Sequence, residues 1–147
     1  MSYVLDQQPA SGRDHDLQAA LQAAGLPIDD LEQGGRTFFR FTDQGQIVGF
    51  GGLESYGDCA LLRSVVVLPD KRGHGYGEAI SRQMLDQVAR DGARTVYLLT
   101  GTATAFFEYL GFVKVDRATA PAAILQTRQA ASLCPASAGL LAKTIRG

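Results

Sequence analysis

A short β-branched run that meets a proline and passes at once into closely spaced glycines constrains this chain more than any other feature. The run is Leu61-Leu62-Arg63-Ser64-Val65-Val66-Val67-Leu68, followed by Pro69, Asp70-Lys71 and then Arg72-Gly73-His74-Gly75-Tyr76-Gly77. Its length and its valines predict a buried strand rather than a helix. Pro69 has no amide hydrogen with which to continue a central strand, so the strand stops there. From Glu78 the apolar residues Ala79, Ile80, Met84, Leu85 and Val88 recur at helical spacing, with polar residues between them. Alternate glycines turn tightly and leave no side chain in the way of a ligand. Unpaired amides at the start of the following helix then favour an anion. The stretch predicts a phosphate cradle.

Spacing separates the kinds of glycine loop. A P-loop needs Lys and then Ser or Thr after its last glycine, whereas Gly77 is followed by Glu78. A dinucleotide fingerprint needs G-x-G-x-x-G and an acidic residue at the end of the next strand. This chain has G-x-G-x-G, and its next strand, Arg94 to Leu99, runs into Thr100.

Composition narrows the partners. A chain of 147 residues is long enough for one domain with a real core, taken as residues 1–147. A net charge of −1 gives no electrostatic reason to expect nucleic acid. No apolar run approaches the roughly 20 residues that span a bilayer, and the N-terminus lacks a basic region followed by an apolar core. Cys59 and Cys134 lie far apart without metal-type spacing, and His15 and His74 are few and separated. The expectation is a cytoplasmic protein with reduced cysteines, no metal centre, and no nucleic-acid or membrane partner.

The order of elements predicts an α+β fold. Tyr3 to Leu5 reads as an edge strand, and Asp14 or Asp16 caps a helix that ends near Ala24-Gly25. Pro27 to Glu32 reads as a short second helix. Thr37 to Thr42 and Gln46 to Glu54 are strands joined by Asp43-Gln44-Gly45, a hairpin signal. After the glycine loop and its helix come a strand from Arg94 to Leu99, a helix from Thr102 to Leu110 and a strand from Phe112 to Asp116. A helix from Pro121 to Ala130 and a strand from Ala138 to Ile145 follow. Hairpins, then a β-α-β unit, then another αβ pair predict a mixed, mostly antiparallel sheet with helices on both faces.

Arg/Gln-x-x-Gly-x-Gly/Ala after a strand and a proline, met here by Arg72, Gly75 and Gly77, resembles the coenzyme A pyrophosphate loop of the GNAT superfamily of N-acetyltransferases. Ala103-Thr104-Ala105-Phe106-Phe107-Glu108-Tyr109-Leu110-Gly111-Phe112 is similar to that superfamily's late helix ending in "FYEKLGF". The tail is similar to arsenic-resistance-operon N-acetyltransferases. It reads Asp116-Arg117, Ala120-Pro121-Ala122-Ala123-Ile124, Thr127-Arg128-Gln129 and Ser132-Leu133-Cys134-Pro135-Ala136-Ser137-Ala138.

The resemblance implies acetyl-coenzyme A as co-substrate, no metal, and a small-molecule amine as acceptor, in a monomer or homodimer. It implies that backbone groups of Val65, Val66 and Val67 receive the pantetheine arm, with an amide in that run, such as that of Val65, polarising the thioester carbonyl. It places the loop Arg72, Gly73, His74, Gly75, Tyr76 and Gly77 on the pyrophosphate, with Thr100 and Phe107 also beside the coenzyme. Ser64, Ser132 and Cys134 fall on the substrate side.

Two departures bear on proton transfer. Phe107 stands where many relatives carry a proton-donating tyrosine, and Tyr109 lies two positions on, about 200° around a helix. Leu61 replaces a glutamate found in some relatives, leaving Glu54 as the carboxylate candidate for taking the amine proton through water. Arg63 is the unexpected charge in an apolar strand. Alternation puts it on the face of Val65 and Val67, where it either pairs with Glu54 or Asp58 or lines the cleft and binds a carboxylate. The expected activity is therefore acetyl transfer to a small, anionic, amino-acid-like amine. The alternatives are a glutamate-type amino-acid acetyltransferase or a degenerate coenzyme A-binding module.

Overall fold

The computed structural model describes residues 4–26, 28, 31–32, 35–101, 103–125 and 139–145. Within them, seven strands form one sheet in the order β1-β2-β3-β4-β5-β7-β6. These are β1 (Asp6–Ala10), β2 (Arg36–Asp43), β3 (Gln46–Tyr56), β4 (Cys59–Val67), β5 (Thr95–Thr100), β6 (Val113–Lys114) and β7 (Gly139–Thr144). The helices are α1 (His15–Ala23), α2 (Tyr76–Arg90), α3 (Thr104–Tyr109) and α4 (Ala122–Leu125). All neighbouring strands are antiparallel except β4 and β5. The fold is the expected α+β arrangement.

Local chemistry sets the boundaries. Asp14 caps α1, accepting from the amides of Asp16 and Leu17, and Gly25 ends it at positive φ. Gln44 and Gly45 both have positive φ, as a two-residue hairpin between β2 and β3 requires. Gly57, at φ 73°, turns β3 into β4.

The hydrophobic faces then sandwich the sheet. Leu17 and Leu21 of α1 pack with Phe38, Phe50 and Val66 on one side. Ile80, Met84 and Val88 of α2 pack with Phe41, Val48 and Leu53 on the other. Ile124 of α4 covers Cys59, Leu61 and Leu140. No helix among the described residues is long and apolar enough to cross a membrane.

Several boundaries differ from the expected ones. Of the expected Tyr3 to Leu5, Tyr3 lies outside the described residues and Val4 and Leu5 precede the first strand, which runs from Asp6 to Ala10. It tolerates Pro9 because β1 is an edge that pairs with β2 alone. The described residues of the expected helix from Pro27 to Glu32 are not helical, and Pro27, Asp29 and Asp30 lie outside the described set. The late helix is shorter at both ends, and the strand expected from Phe112 to Asp116 shrinks to Val113–Lys114. The Pro121 to Ala130 helix is described as Ala122–Leu125, its remainder lying outside the described residues.

Candidate active site

The site begins where two parallel strands part. β4 and β5 are paired only over Cys59–Leu61 and Thr95–Tyr97. β4 then follows β3 to Val67, while β5 stays with β7 to Thr100. A cavity of about 260 Å³ opens between them. Leu62 to Val67 form one wall and Leu98 to Thr100 the other, with Ala103 and Phe107 from the α3 side, Arg72 from the loop, and Ala24 and Leu26 beyond α1.

A bulge shapes the β4 wall. Gly52 faces Arg63 and Phe50 faces Val66, so β4 carries one residue more than β3 across this interval. Ser64 takes a positive φ of 58°, a conformation that costs an L-residue and marks a locally specified backbone. The extra residue reverses the alternation beyond it. Arg63 lies over the Phe38 ring on the α1 side, whereas Val65 and Val67 pack toward the α2 side. The expectation that Arg63 shares a face with Val65 and Val67 is therefore corrected, because simple alternation omits the bulge.

Arg63 belongs to a buried polar cluster. Its Nη1 donates to Glu54 Oε2 at 2.9 Å and its Nε to Ser64 Oγ at 3.2 Å. Arg36 Nη2 stands 3.8 Å from Glu54 Oε1, which also accepts from the Tyr56 hydroxyl. Burial, and then the hydrogen bond to Glu54, push the Tyr56 hydroxyl pKa well up. Glu54 is fully buried, and Arg63 is 4% exposed yet reaches the cavity wall. Of the two partners expected for Arg63 the structure shows Glu54, while Asp58 lies in the turn before β4.

Neither residue expected to move protons lies on that wall. Glu54 is enclosed by two guanidiniums and a tyrosine rather than facing the cleft through water. Tyr109 is 67% exposed and stands beside the Glu78–Arg82 pair of α2. Arg82 first, with Tyr109 adding, holds the Glu78 carboxyl below its usual range. Phe107, by contrast, is buried on the wall and meets Phe106 and Phe112 edge to face. Thr100 also lines the cavity, and its Oγ1 accepts from the Ala103 amide at 2.9 Å at the start of α3.

The glycine loop closes one end. Pro69–Lys71 form a single 3-10 turn, and Gly73 and Gly75 have φ of 82° and 79°. Gly75 caps α2 without a side-chain hydrogen bond, so no side chain of the cap covers the first-turn amides. A Cβ at Gly73 would meet nothing within 4 Å, and one at Gly77 would touch Phe106 and Val67 at 3.6 Å. The backbone is thus open on the loop side and close-packed beneath Gly77. The Tyr76 hydroxyl donates to Asp43 Oδ2 at 2.7 Å, which braces the loop against the end of β2, and His74 lies beside the Tyr76 ring. Lys71 donates to Gln46 Oε1. Ser132 and Cys134 lie outside the described residues.

Glu54 was expected beside Arg63, but Arg36, Phe38 and Tyr56 around that pair were not. Arg36 and Phe38 alternate on one face of β2, and the hairpin register carries that face to Glu54 and Gly52. Ala24 and Leu26 on the cavity wall were signalled only as a helix end. Among the described residues no group of three or more His, Cys, Asp or Glu is placed to hold a metal ion.

Residues 34–114 match the model of the acetyltransferase (GNAT) domain. An amino-acid acetyltransferase of Mycobacterium tuberculosis is 40% identical over 74 residues, 49% of this chain and 41% of that protein. A ribosomal protein bS18-alanine N-acetyltransferase of Haemophilus influenzae is 28% identical over 80 residues, 52% of this chain and 55% of its own. The likeness thus spans about half the length of these curated relatives. In three dimensions the chain resembles N-acetylglutamate synthase from Neisseria gonorrhoeae in complex with coenzyme A and N-acetyl-glutamate. There the TM-score is 0.80 at 16% identity, covering 100% of this chain and 36% of that one.

Proposed function

The chain belongs to the GNAT acetyltransferase family, and on that premise we propose that it transfers an acetyl group from acetyl-coenzyme A to the amine of a small, anionic, amino-acid-like acceptor. The observation that carries this reading is the cleft between the parting strands β4 and β5, with Arg72 of the glycine loop and Arg63 both on its wall. The residues present fit the coenzyme: two positive-φ glycines and an uncapped helix start form a cradle without side chains in the way. Backbone amides of residues 72–77 and the Arg72 guanidinium hold the pyrophosphate in this reading. The thioester of the bound coenzyme supplies the acyl group. Beyond Leu61, the β5-facing edge of β4 has no strand partner among the described residues. In this reading backbone groups of the Val65, Val66 and Val67 run receive an extended arm and donate to a carbonyl oxygen. One such donor contributes about 3 kcal/mol of barrier lowering.

Proton transfer follows from what the wall lacks. Phe107 has no proton to give, so the sulfur leaves as thiolate, helped by a thiol pKa only one or two units above neutral. The acceptor must then present a neutral amine, and holding it beside the thioester supplies most of the acceleration. Arg63 and Ser64 are proposed to take the acceptor's carboxylate, with Ser132 and Cys134 contributing from the tail.

The finer reading is a single-domain cytoplasmic enzyme, monomer or homodimer, in an arsenic-resistance context, supported by the tail from Asp116 to Ala138. The M. tuberculosis relative and the N. gonorrhoeae structure support a glutamate-type acceptor as the second reading. Free-thiol release from acetyl-coenzyme A, measured against amino acids and their amides, tests the proposal. Faster release with the acids supports it. Binding of coenzyme A with no release for any amine would identify a degenerate module instead.

A further inference from the structure

The end of α1 is held by a backbone cap that sets an apolar side chain on the cavity wall. The Gly25 amide donates to the Gln22 carbonyl at 3.1 Å and the Leu26 amide to the Leu21 carbonyl at 2.9 Å, with Gly25 at a φ of 72°. This is a Schellman motif, whose usual companion is an apolar contact between the residue after the glycine and the last turn of the helix. Leu26 supplies that contact, packing with the cluster of Leu17, Leu21 and Val66. It is nevertheless only half-buried, and it lines the cavity together with Val66 and Leu99.

The two faces of the sheet divide that wall. Val65, Val67, Leu98 and Phe107 pack on the α2 side, where Gly77 of the glycine loop is seated against Val67. Leu26 and Val66 pack on the α1 side. Leu99 joins them there: it packs with Leu61, which lies two residues before Arg63 in regular pairing and so shares the face of Phe38. A coenzyme bound along the glycine loop takes the α2 side, which leaves the α1 side to the acceptor. Leu26, Val66 and Leu99 offer that acceptor no charge and no side-chain hydrogen bond. A side-chain carboxylate among them would lose its hydration without a partner, whereas an alkyl chain gains by leaving water. Backbone hydrogen bonds already fix Leu26, so little is lost in ordering it. We infer that Leu26 is a specificity-determining residue, and that the acceptor is an amino acid with an apolar side chain, of the leucine class, rather than glutamate. The inference rests on the amino-acid-like acceptor proposed above.

Two measurements on the whole chain test it. The first is thiol release with leucine, alanine, glutamate and leucinamide, in the wild type and in Leu26→Ala. The second is the methyl NMR signal of Leu26 in protein saturated with coenzyme A, assigned by its loss in that variant. The cap is made by backbone groups, so Leu26→Ala keeps it. Wild-type kcat/KM should favour leucine at least about tenfold over alanine and over glutamate. Leucine, but not glutamate, should shift the Leu26 methyl signal. In Leu26→Ala the leucine-to-alanine ratio of kcat/KM should fall roughly tenfold. Glutamate as the best acceptor, or an unchanged ratio in Leu26→Ala, would overturn the inference and leave acetyl transfer to an anionic amine standing. Equal rates for leucine and leucinamide, with leucine still ahead of alanine, would overturn the anionic acceptor and leave the apolar slot standing. If no amine releases thiol, acetyl transfer falls and the methyl signal decides: a shift with leucine upholds the slot, and no shift overturns it.

Discussion

Arg63 and Val65 sit two residues apart on one strand and face opposite sides of the sheet, because Ser64 adds a bulged residue between them. The Arg63 guanidinium reaches Phe38 and Glu54 on the α1 side, while Val65 packs toward α2. One bulge thus gives the cavity wall both a charged group and a run of backbone from Val65 onward. Without it, Arg63 would enter the apolar layer beneath α2.

The ion pair makes a stability prediction. Arg63→Ala leaves the fully buried Glu54 with only the longer 3.8 Å ion pair to Arg36 and the Tyr56 hydroxyl, and should cost about 3–5 kcal/mol. The double variant Arg63→Met, Glu54→Gln removes both charges and should recover much of that loss. Denaturant unfolding of the three proteins checks it. Additive losses in the double variant would mean that the two side chains do not act as a pair.

Much of the site was legible because its signals are local. The valine run, Pro69 and the glycines predict β4, its stop and the cradle, and the period of α2 follows from Ala79, Ile80, Met84 and Val88. The hairpin at Gln44-Gly45 is written in its turn residues. The bulge is not, since Ser64 carries no glycine or asparagine signal for its positive φ. The place of Glu54 also depends on register: Arg36, Glu54 and Leu61 meet only once three strands are paired. That Asp6–Ala10 forms β1 despite Pro9 is likewise not local, because a strand's edge position is a property of the whole sheet.

Substitutions in the loop should separate coenzyme binding from folding. Gly75→Val forces a β-branched residue into a φ of 79° and projects a side chain at the start of α2. Coenzyme A affinity by calorimetry should fall at least about tenfold, with roughly 1–2 kcal/mol lost in stability. Gly77→Ala meets its neighbours at ordinary contact distance and should fold normally. Unchanged affinity in Gly75→Val would contradict the cradle.

Alkaline pH should destabilise the fold. Cys59, Tyr56 and Tyr97 all have pKa values raised, each by burial first, above ordinary values of 9.0 for the thiol and 10.0 for the phenols. Below pH 9 both folded and unfolded chains keep these protons, and the contribution to stability is complete. As pH rises further the unfolded chain loses protons that the folded chain keeps, so stability falls until the folded values are reached. Urea unfolding between pH 8 and about 11 should show this decline, and Tyr56→Phe should make it shallower. A flat profile would contradict it.

Tyr109 should be dispensable for chemistry. It is exposed beside the Glu78–Arg82 pair, away from the cavity wall. Tyr109→Phe should lower kcat by less than about tenfold, below the 10²–10⁴ range of a committed general acid. A thousandfold loss in a folded variant that binds coenzyme A normally would make Tyr109 the acid.

The most direct test of the cleft between β4 and β5 as an acetyl-transfer site is the release of free thiol from acetyl-coenzyme A with a panel of carboxylate-bearing amines. The mass of each acceptor is followed in the same reaction. The account predicts thiol release that requires an acceptor, rises with pH as its amine loses its proton, and matches acceptor molecules heavier by one acetyl group. Tight coenzyme A binding with thiol release no faster than hydrolysis, whatever amine is supplied, would contradict it.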